Sequence, residues 1–219
     1  MDADAALVQA ERELWRRYRT APAVTRAYIF IRLRNFPKRR VWPMLMGLSG
    51  TVVSVGAGYG IHETMAALAN PAVTFIASDA KANRIALARN ATQGIPNIRF
   101  EVFNLKRGLP TCPAGTFLLF DVLHHLTPDL QRSLLAELIQ KLPPDGRIII
   151  KECGIRPVWK KWFNDLTDMV GAPGEAIYPA SEQHWASLLA AGGLETRITR
   201  IDRGLPYAHV LIEGRKAGV

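Results

Sequence analysis

Cysteine is scarce in this chain, and its scarcity excludes several architectures. Only Cys112 and Cys153 occur in 219 residues. They lie far apart, with no Cys-x-x-Cys pair, so neither a disulfide scaffold nor a zinc site is indicated, and each reads as a reduced thiol. No metal is expected. No apolar run reaches the roughly eighteen residues a membrane span needs, and none near the N-terminus has the length of a signal sequence, so the sequence predicts a cytoplasmic protein. A Gly-x-Ser-x-Gly elbow is missing, as is any Cys/His nucleophile spacing, and no catalytic triad is expected. Neither a Ser/Pro/Gly-rich linker nor a repeat divides the chain, which is long enough for one substantial core.

What is present begins with Thr51-Val52-Val53-Ser54-Val55-Gly56-Ala57-Gly58-Tyr59-Gly60. A β-branched run entering a glycine turn reads as a strand whose backbone approaches a ligand closely. Asp79 closes the next apolar run, Phe75-Ile76-Ala77-Ser78, at the distance where an acid accepts hydrogen bonds from ribose hydroxyls. A dinucleotide fingerprint wants its third glycine one residue later, where this chain has Ile61. The Gly-x-Gly-x-Gly form suits a nucleoside cofactor without a pyrophosphate; a plain strand-to-helix turn is the alternative.

Further segments follow in order. Residues 81–91 read as a helix with Ile85, Leu87 and Ala88 for packing, and Ile98 to Phe103 reads as a strand ending in Asn104-Leu105. Thr116 to Leu126 is an apolar element ending in Asp121 and the pair His124-His125. Pro128 to Leu142 is a helix with Pro at its start, and Pro143-Pro144-Asp145-Gly146 turns it into the strand Arg147 to Ile150. Ser181 is placed to cap a helix that stops at Gly192-Gly193, and Leu194 to Ile201 and Tyr207 to Glu213 alternate as a hairpin.

Taken together, Val-Gly-Ala-Gly-Tyr-Gly, Ala-Ser-Asp79, Phe-Asn104-Leu and Asp121-Val-Leu-His-His-Leu before Leu-Pro-Pro-Asp-Gly-Arg resemble the class I S-adenosylmethionine-dependent methyltransferases. The resemblance covers roughly residues 48 to 215. It implies an α/β, Rossmann-like three-layer sandwich: a seven-stranded, mostly parallel sheet with an antiparallel C-terminal hairpin, preceded by basic N-terminal helices. The implied division is a helical cap over 1–47 and a cofactor-binding domain over 48–219, with a helical insert at 154–178. S-adenosyl-L-methionine is the implied cofactor. Gly56, Ala57 and Gly58 would pass against its amino-acid part, Asp79 would hold the ribose, Asn104 and Leu105 the adenine, and Asp121 would lie near the ammonium or the transfer mouth. Ser54 stands where relatives carry an acid, and Glu63 is the nearby substitute.

The acceptor side is read from residue chemistry. A phenol or carboxylic acid acceptor needs a base of near-neutral pKa, and His125, His124 and His209 are the candidates. Lys151, Arg156, Trp159 and Tyr207 are candidates for binding substrate, Lys151 and Arg156 by steering an anion. The Arg-Pro-x-Trp-Lys and Pro-Tyr-x-His-Val segments resemble small bacterial methyltransferases associated with fatty-acid-like or aryl-polyene pigment biosynthesis, implying an acyl or aromatic small-molecule acceptor, free or on an acidic carrier protein.

Charge is uneven. Residues 1–40 hold ten Lys and Arg against four acids, which is six of the nine net positive charges. Such a cap suits a membrane surface, an acidic carrier protein or a cover over the substrate mouth, and with no reading module it argues against nucleic acid. Oligomeric state is not legible. A nicotinamide-dependent oxidoreductase and a non-catalytic scaffold of the same fold stay open.

Overall fold

Five residues, Thr51–Val55, form the first strand (β1), and four of them are buried. A β-branched run buried on both faces is the mark of an interior parallel strand, and β1 pairs in parallel with β2 (Thr74–Asp79), which pairs in parallel with β3 (Ile98–Val102). The computed structural model describes residues 3–105, 114–155, 157, 159, 176–205 and 207–218. The remaining strands are β4 (Thr116–Phe120), β5 (Arg147–Cys153), β6 (Leu194–Arg200) and β7 (His209–Lys216). The sheet has seven strands in the order β3-β2-β1-β4-β5-β7-β6. β4 and β5 are parallel, whereas β7 runs antiparallel to both β5 and β6.

The chain forms two compact units, Met1–Asn104 and Leu105–Val219. The first holds helices α1 (Ala3–Arg17), α2 (Ala23–Asn35), α3 (Lys38–Met46), α4 (Ile61–Ala69) and α5 (Ala82–Ala91) around β1 to β3. α1 buries Ala6, Leu7, Ala10 and Leu14, a 3–4 residue spacing that makes one apolar stripe, and packs it on α4 and α3. Arg17 ties the same helix to the end of α5 by donating to the carbonyls of Ala91 and Gln93, both at 3.0 Å.

The second unit holds α6 (Pro128–Lys141) and α7 (Glu182–Ala191) with β4 to β7. Ser181 caps α7 by accepting from the His184 N–H at 3.2 Å, and α7 packs on β6 and β7. One boundary differs from the sequence reading. β5 continues past Ile150, where the sequence reading ended it, through Cys153, so Lys151 and Glu152 are buried strand residues. Most of the helical insert expected at 154–178 lies outside the described residues; of its candidate site residues Trp159 is described, and it is exposed.

Candidate active site

In the first unit the site is built on the turn between β1 and α4. Gly56, Gly58 and Gly60 have φ of 73°, 58° and 66°, the left-handed region that a side chain resists. Gly60 also has no room, since an added Cβ would sit 2.3 Å from the Phe100 ring. The turn is held by Ala57 N–H to Ser78 carbonyl and Gly60 N–H to Ala57 carbonyl, each 2.8 Å. Asp79 reaches into it: one carboxylate oxygen accepts from Gly58 N–H at 2.9 Å and the other from Lys81 N–H at 2.8 Å. Each oxygen has a second lone pair, so the half-buried carboxylate keeps acceptor capacity for a ligand. Asn104 is exposed just beyond β3, and Leu105 next to it is half-buried.

Behind the turn lies a buried carboxyl. Glu63, in the first turn of α4, is 2% exposed and accepts a 2.6 Å hydrogen bond from Ser54 Oγ, while its other oxygen, Oε2, has no hydrogen-bond partner among the described residues. Burial pushes its pKa up, the Ser54 hydroxyl and its own N–H draw it down, Asp79 raises it and Arg32 lowers it. Position 54 therefore passes its polar contact to the acid nine residues on. Tyr18, at the end of α1, is also buried and donates its hydroxyl to the Tyr59 carbonyl of the glycine turn; burial, then Glu63, pushes the phenol's pKa up. The Tyr28 ring of α2 lies 5.3 Å from that of Tyr59, with the Arg84 guanidinium 6.0 Å and 5.4 Å from the two centroids. His62 stacks on Phe36 at 3.8 Å.

The second unit carries the histidines. After β4 the chain turns at Asp121, whose φ of 53° is unusual for a residue with a side chain. The turn is held by Asp121 N–H to Lys151 carbonyl at 2.8 Å and by Lys151 Nζ, which donates to both Asp121 oxygens at 2.6 and 2.7 Å. Lys151 is 1% exposed, so its charge is spent inside the fold on this pair. A short 3-10 turn, Leu123–His125, follows. There Glu152 accepts from the Val122 and Leu123 N–H groups at 3.0 and 2.7 Å, and its other oxygen meets His124 Nδ1 at 2.6 Å. With Nδ1 held against a carboxylate, the imidazole ring is oriented. Gln131 of α6 fixes the surrounding backbone, donating to the carbonyls of Leu123, Leu126 and Tyr178.

His125 is half-buried, its ring 4.2 Å from that of His124. His209 is buried at the start of β7, opposite Cys153 of β5, with the half-buried Tyr207 ring 6.1 Å away. Arg156 lies outside the described residues. The structure thus groups Gly56, Ala57, Gly58 and Asp79 in one unit and Asp121, His124, His125 and Lys151 in the other. Sequence reading missed Tyr18, Tyr28 and Arg84 around the turn, and Glu152 as the histidine's partner. The one available signal was a Lys-Glu pair continuing the apolar run Ile148-Ile149-Ile150.

No protein-family profile matches the chain. No curated protein matches it significantly. Solved structures do. An O-methyltransferase family protein from Burkholderia thailandensis is 16% identical with a TM-score of 0.69, over 97% of this chain and 72% of that one. The pyocyanin biosynthetic protein PhzM is 18% identical with a TM-score of 0.71, over 93% of this chain and 62% of that one. Magnesium protoporphyrin IX methyltransferase from Synechocystis, solved with bound SAH, is 17% identical with a TM-score of 0.63, over 94% and 93%. The chain therefore has the fold of the S-adenosylmethionine-dependent methyltransferases: a Rossmann-like mixed sheet with an antiparallel C-terminal hairpin.

Proposed function

We propose that the chain is an S-adenosylmethionine-dependent methyltransferase acting on a small acyl or aromatic acceptor, free or tethered to a carrier protein, of the kind made in bacterial secondary metabolism. The observation that carries this reading is the hydrogen bond from Gly58 N–H to Asp79, which fixes a ribose-type acceptor against a glycine turn. The residues present fit the cofactor. Gly56 and Gly58, on either side of Ala57, offer backbone where a Cβ would stand off the ligand, Asp79 retains a lone pair on each oxygen, and Asn104 and Leu105 suit the adenine. Arg84, whose guanidinium stands 4.0 Å from where a Gly58 Cβ would lie, suits a carboxylate. When bound, S-adenosylmethionine supplies an electrophilic methyl carbon, so the protein's tasks are to align a nucleophile and exclude water.

For the base, His124 is favoured over His125 and His209. Glu152 orients the ring through Nδ1, and Nε2, buried in this structure, takes the acceptor's proton once an acceptor reaches it, with the carboxylate steadying the charge that results. Asp121, immobilised by Lys151, is assigned to the cofactor's ammonium side, and Tyr207, Trp159 and Arg156 to the acceptor. Helices over 1–47 are assigned as a cap on the glycine turn, consistent with the Tyr18 to Tyr59 hydrogen bond. A pyrophosphate cofactor is disfavoured because the buried Ile61 occupies the place of the helix glycine.

Isothermal calorimetry with S-adenosylmethionine, S-adenosylhomocysteine and NAD tests the reading. Binding of the first two and not the third is expected; no binding of either adenosyl ligand overturns it. A labelled-methyl screen across phenols, acyl acids and carrier-bound acyl groups then resolves the acceptor.

A further inference from the structure

Helix α2 is apolar on both sides. Thr25, Ile29 and Leu33, spaced four apart, are its buried face. The opposite face carries Val24, Ala27, Phe30 and Ile31, of which Val24 is 82%, Phe30 61% and Ile31 46% exposed. A helix that packs one face on its own domain ordinarily offers charged residues on the other, and an apolar stripe left in water marks a surface with an occupant.

The charges around the stripe have one sign. No acid occurs between Glu13 and Glu63, a stretch with nine Lys and Arg. Arg26 and Arg34 flank the exposed face of α2, Arg39 and Arg40 are exposed in the first turn of α3, and none of the four has a carboxylate partner among the described residues. Arg39 and Arg40 also stand at the positive end of α3, which has no acid in its first turn, whereas their neighbour Lys38 is paired with Glu11 of α1 at 2.6 Å. Cations there oppose the helix dipole, so the placement is unfavourable to the folded chain alone and favourable once an anion lies against it.

We propose that the outward face of α2, with Arg39 and Arg40, docks on an anionic phospholipid surface. Val24, Phe30 and Ile31 enter the boundary of the acyl layer, and the arginines pair with lipid phosphates. A second copy of this chain is a poor occupant, since self-pairing would set these arginines against one another. An acidic protein would match the charge but must also bring a groove shaped to a convex helix face, whereas a bilayer offers the apolar layer and the anionic plane together and deforms around the helix. The proposal does not depend on the methyl-transfer reading. It bears on that reading through Tyr28, on the same helix, whose ring meets Tyr59 of the glycine turn.

Co-sedimentation of the full chain with vesicles tests this, using phosphatidylcholine alone and roughly three parts phosphatidylcholine to one part phosphatidylglycerol. Pelleting with the mixed vesicles only, weakening as salt screens the charge, is expected. Phe30→Ser with Ile31→Ser should lower vesicle affinity about tenfold or more, and Arg26→Gln with Arg34→Gln should abolish the preference for anionic vesicles. Circular dichroism and S-adenosylmethionine affinity should stay unchanged, because all four side chains are exposed. The proposal is overturned if wild type fails to pellet with the mixed vesicles, or if neither double variant alters pelleting. It is equally overturned if, without vesicle binding, the Phe30 and Ile31 changes disperse a dimer or release an acidic protein.

Discussion

Ser54 and Glu63 share a 2.6 Å hydrogen bond in a place where Glu63 is 2% exposed, and among the described residues the acid is satisfied on one oxygen only. Burial raises its folded pKa above the value in the unfolded chain, and the sign of the pH effect follows. The protonated carboxyl favours folding, and that contribution is fully present below the unfolded pKa and lost as pH rises towards and through the raised folded pKa. Glu63→Gln keeps the shape and an acceptor for Ser54 but cannot ionise. The melting temperature of the variant should therefore gain on wild type as pH is raised from about 4 to 8. A difference between the two proteins that stays flat with pH would show that Glu63 is ionised at no cost.

The Glu152 to His124 contact yields a separable prediction. In Glu152→Gln the amide oxygen still accepts from the Val122 and Leu123 N–H groups, while the amide N–H meets His124 Nδ1 and drives the imidazole proton to Nε2. Turnover should fall by about a hundredfold or more with cofactor affinity unchanged. Glu152→Ala instead strands two buried N–H groups and should cost roughly 3 kcal/mol of stability, read by denaturant titration. If Glu152→Gln methylates at the wild-type rate, His124 is not the base.

Asp79 binds the turn as well as the ligand, so its substitutions should grade. Asp79→Ala loses both backbone hydrogen bonds and the ribose contact, and calorimetry should show S-adenosylmethionine affinity lower by about 100-fold. Asp79→Asn keeps one carbonyl acceptor and should fall between that variant and wild type. Equal losses in the two would mean that the carboxylate serves the fold alone.

Much of this was legible along the chain because it depends on near neighbours. Apolar runs such as Val52 to Val55 and Ile148 to Ile150 announce strands, glycines 56, 58 and 60 announce a left-handed turn, and Ser181 announces a cap. The illegible parts depend on distant partners. Lys151 and Glu152 look like a charged strand end, yet both are buried, because Asp121, His124 and two backbone N–H groups some thirty positions away neutralise them. Tyr18 reads as one more aromatic in a basic helix. Only the folded chain brings its hydroxyl to the Tyr59 carbonyl, 41 residues away in sequence.

Gly60 allows conformational strain and close packing to be measured apart. Its φ is 66°, and a Cβ there would fall 2.3 Å from two carbons of Phe100, a buried ring with little freedom to retreat. Gly94 has a φ of 79° with nothing within 4 Å of the same position. Gly94→Ala should therefore cost only the backbone term, about 1 kcal/mol, whereas Gly60→Ala should cost about 3 kcal/mol or more, lowering the melting temperature by about 6 °C or more. Combining Gly60→Ala with Phe100→Leu should recover part of the packing loss and none of the backbone term. If Gly60→Ala proved as mild as Gly94→Ala, the ring would not be packed on the turn, and the third glycine would be required for its φ alone.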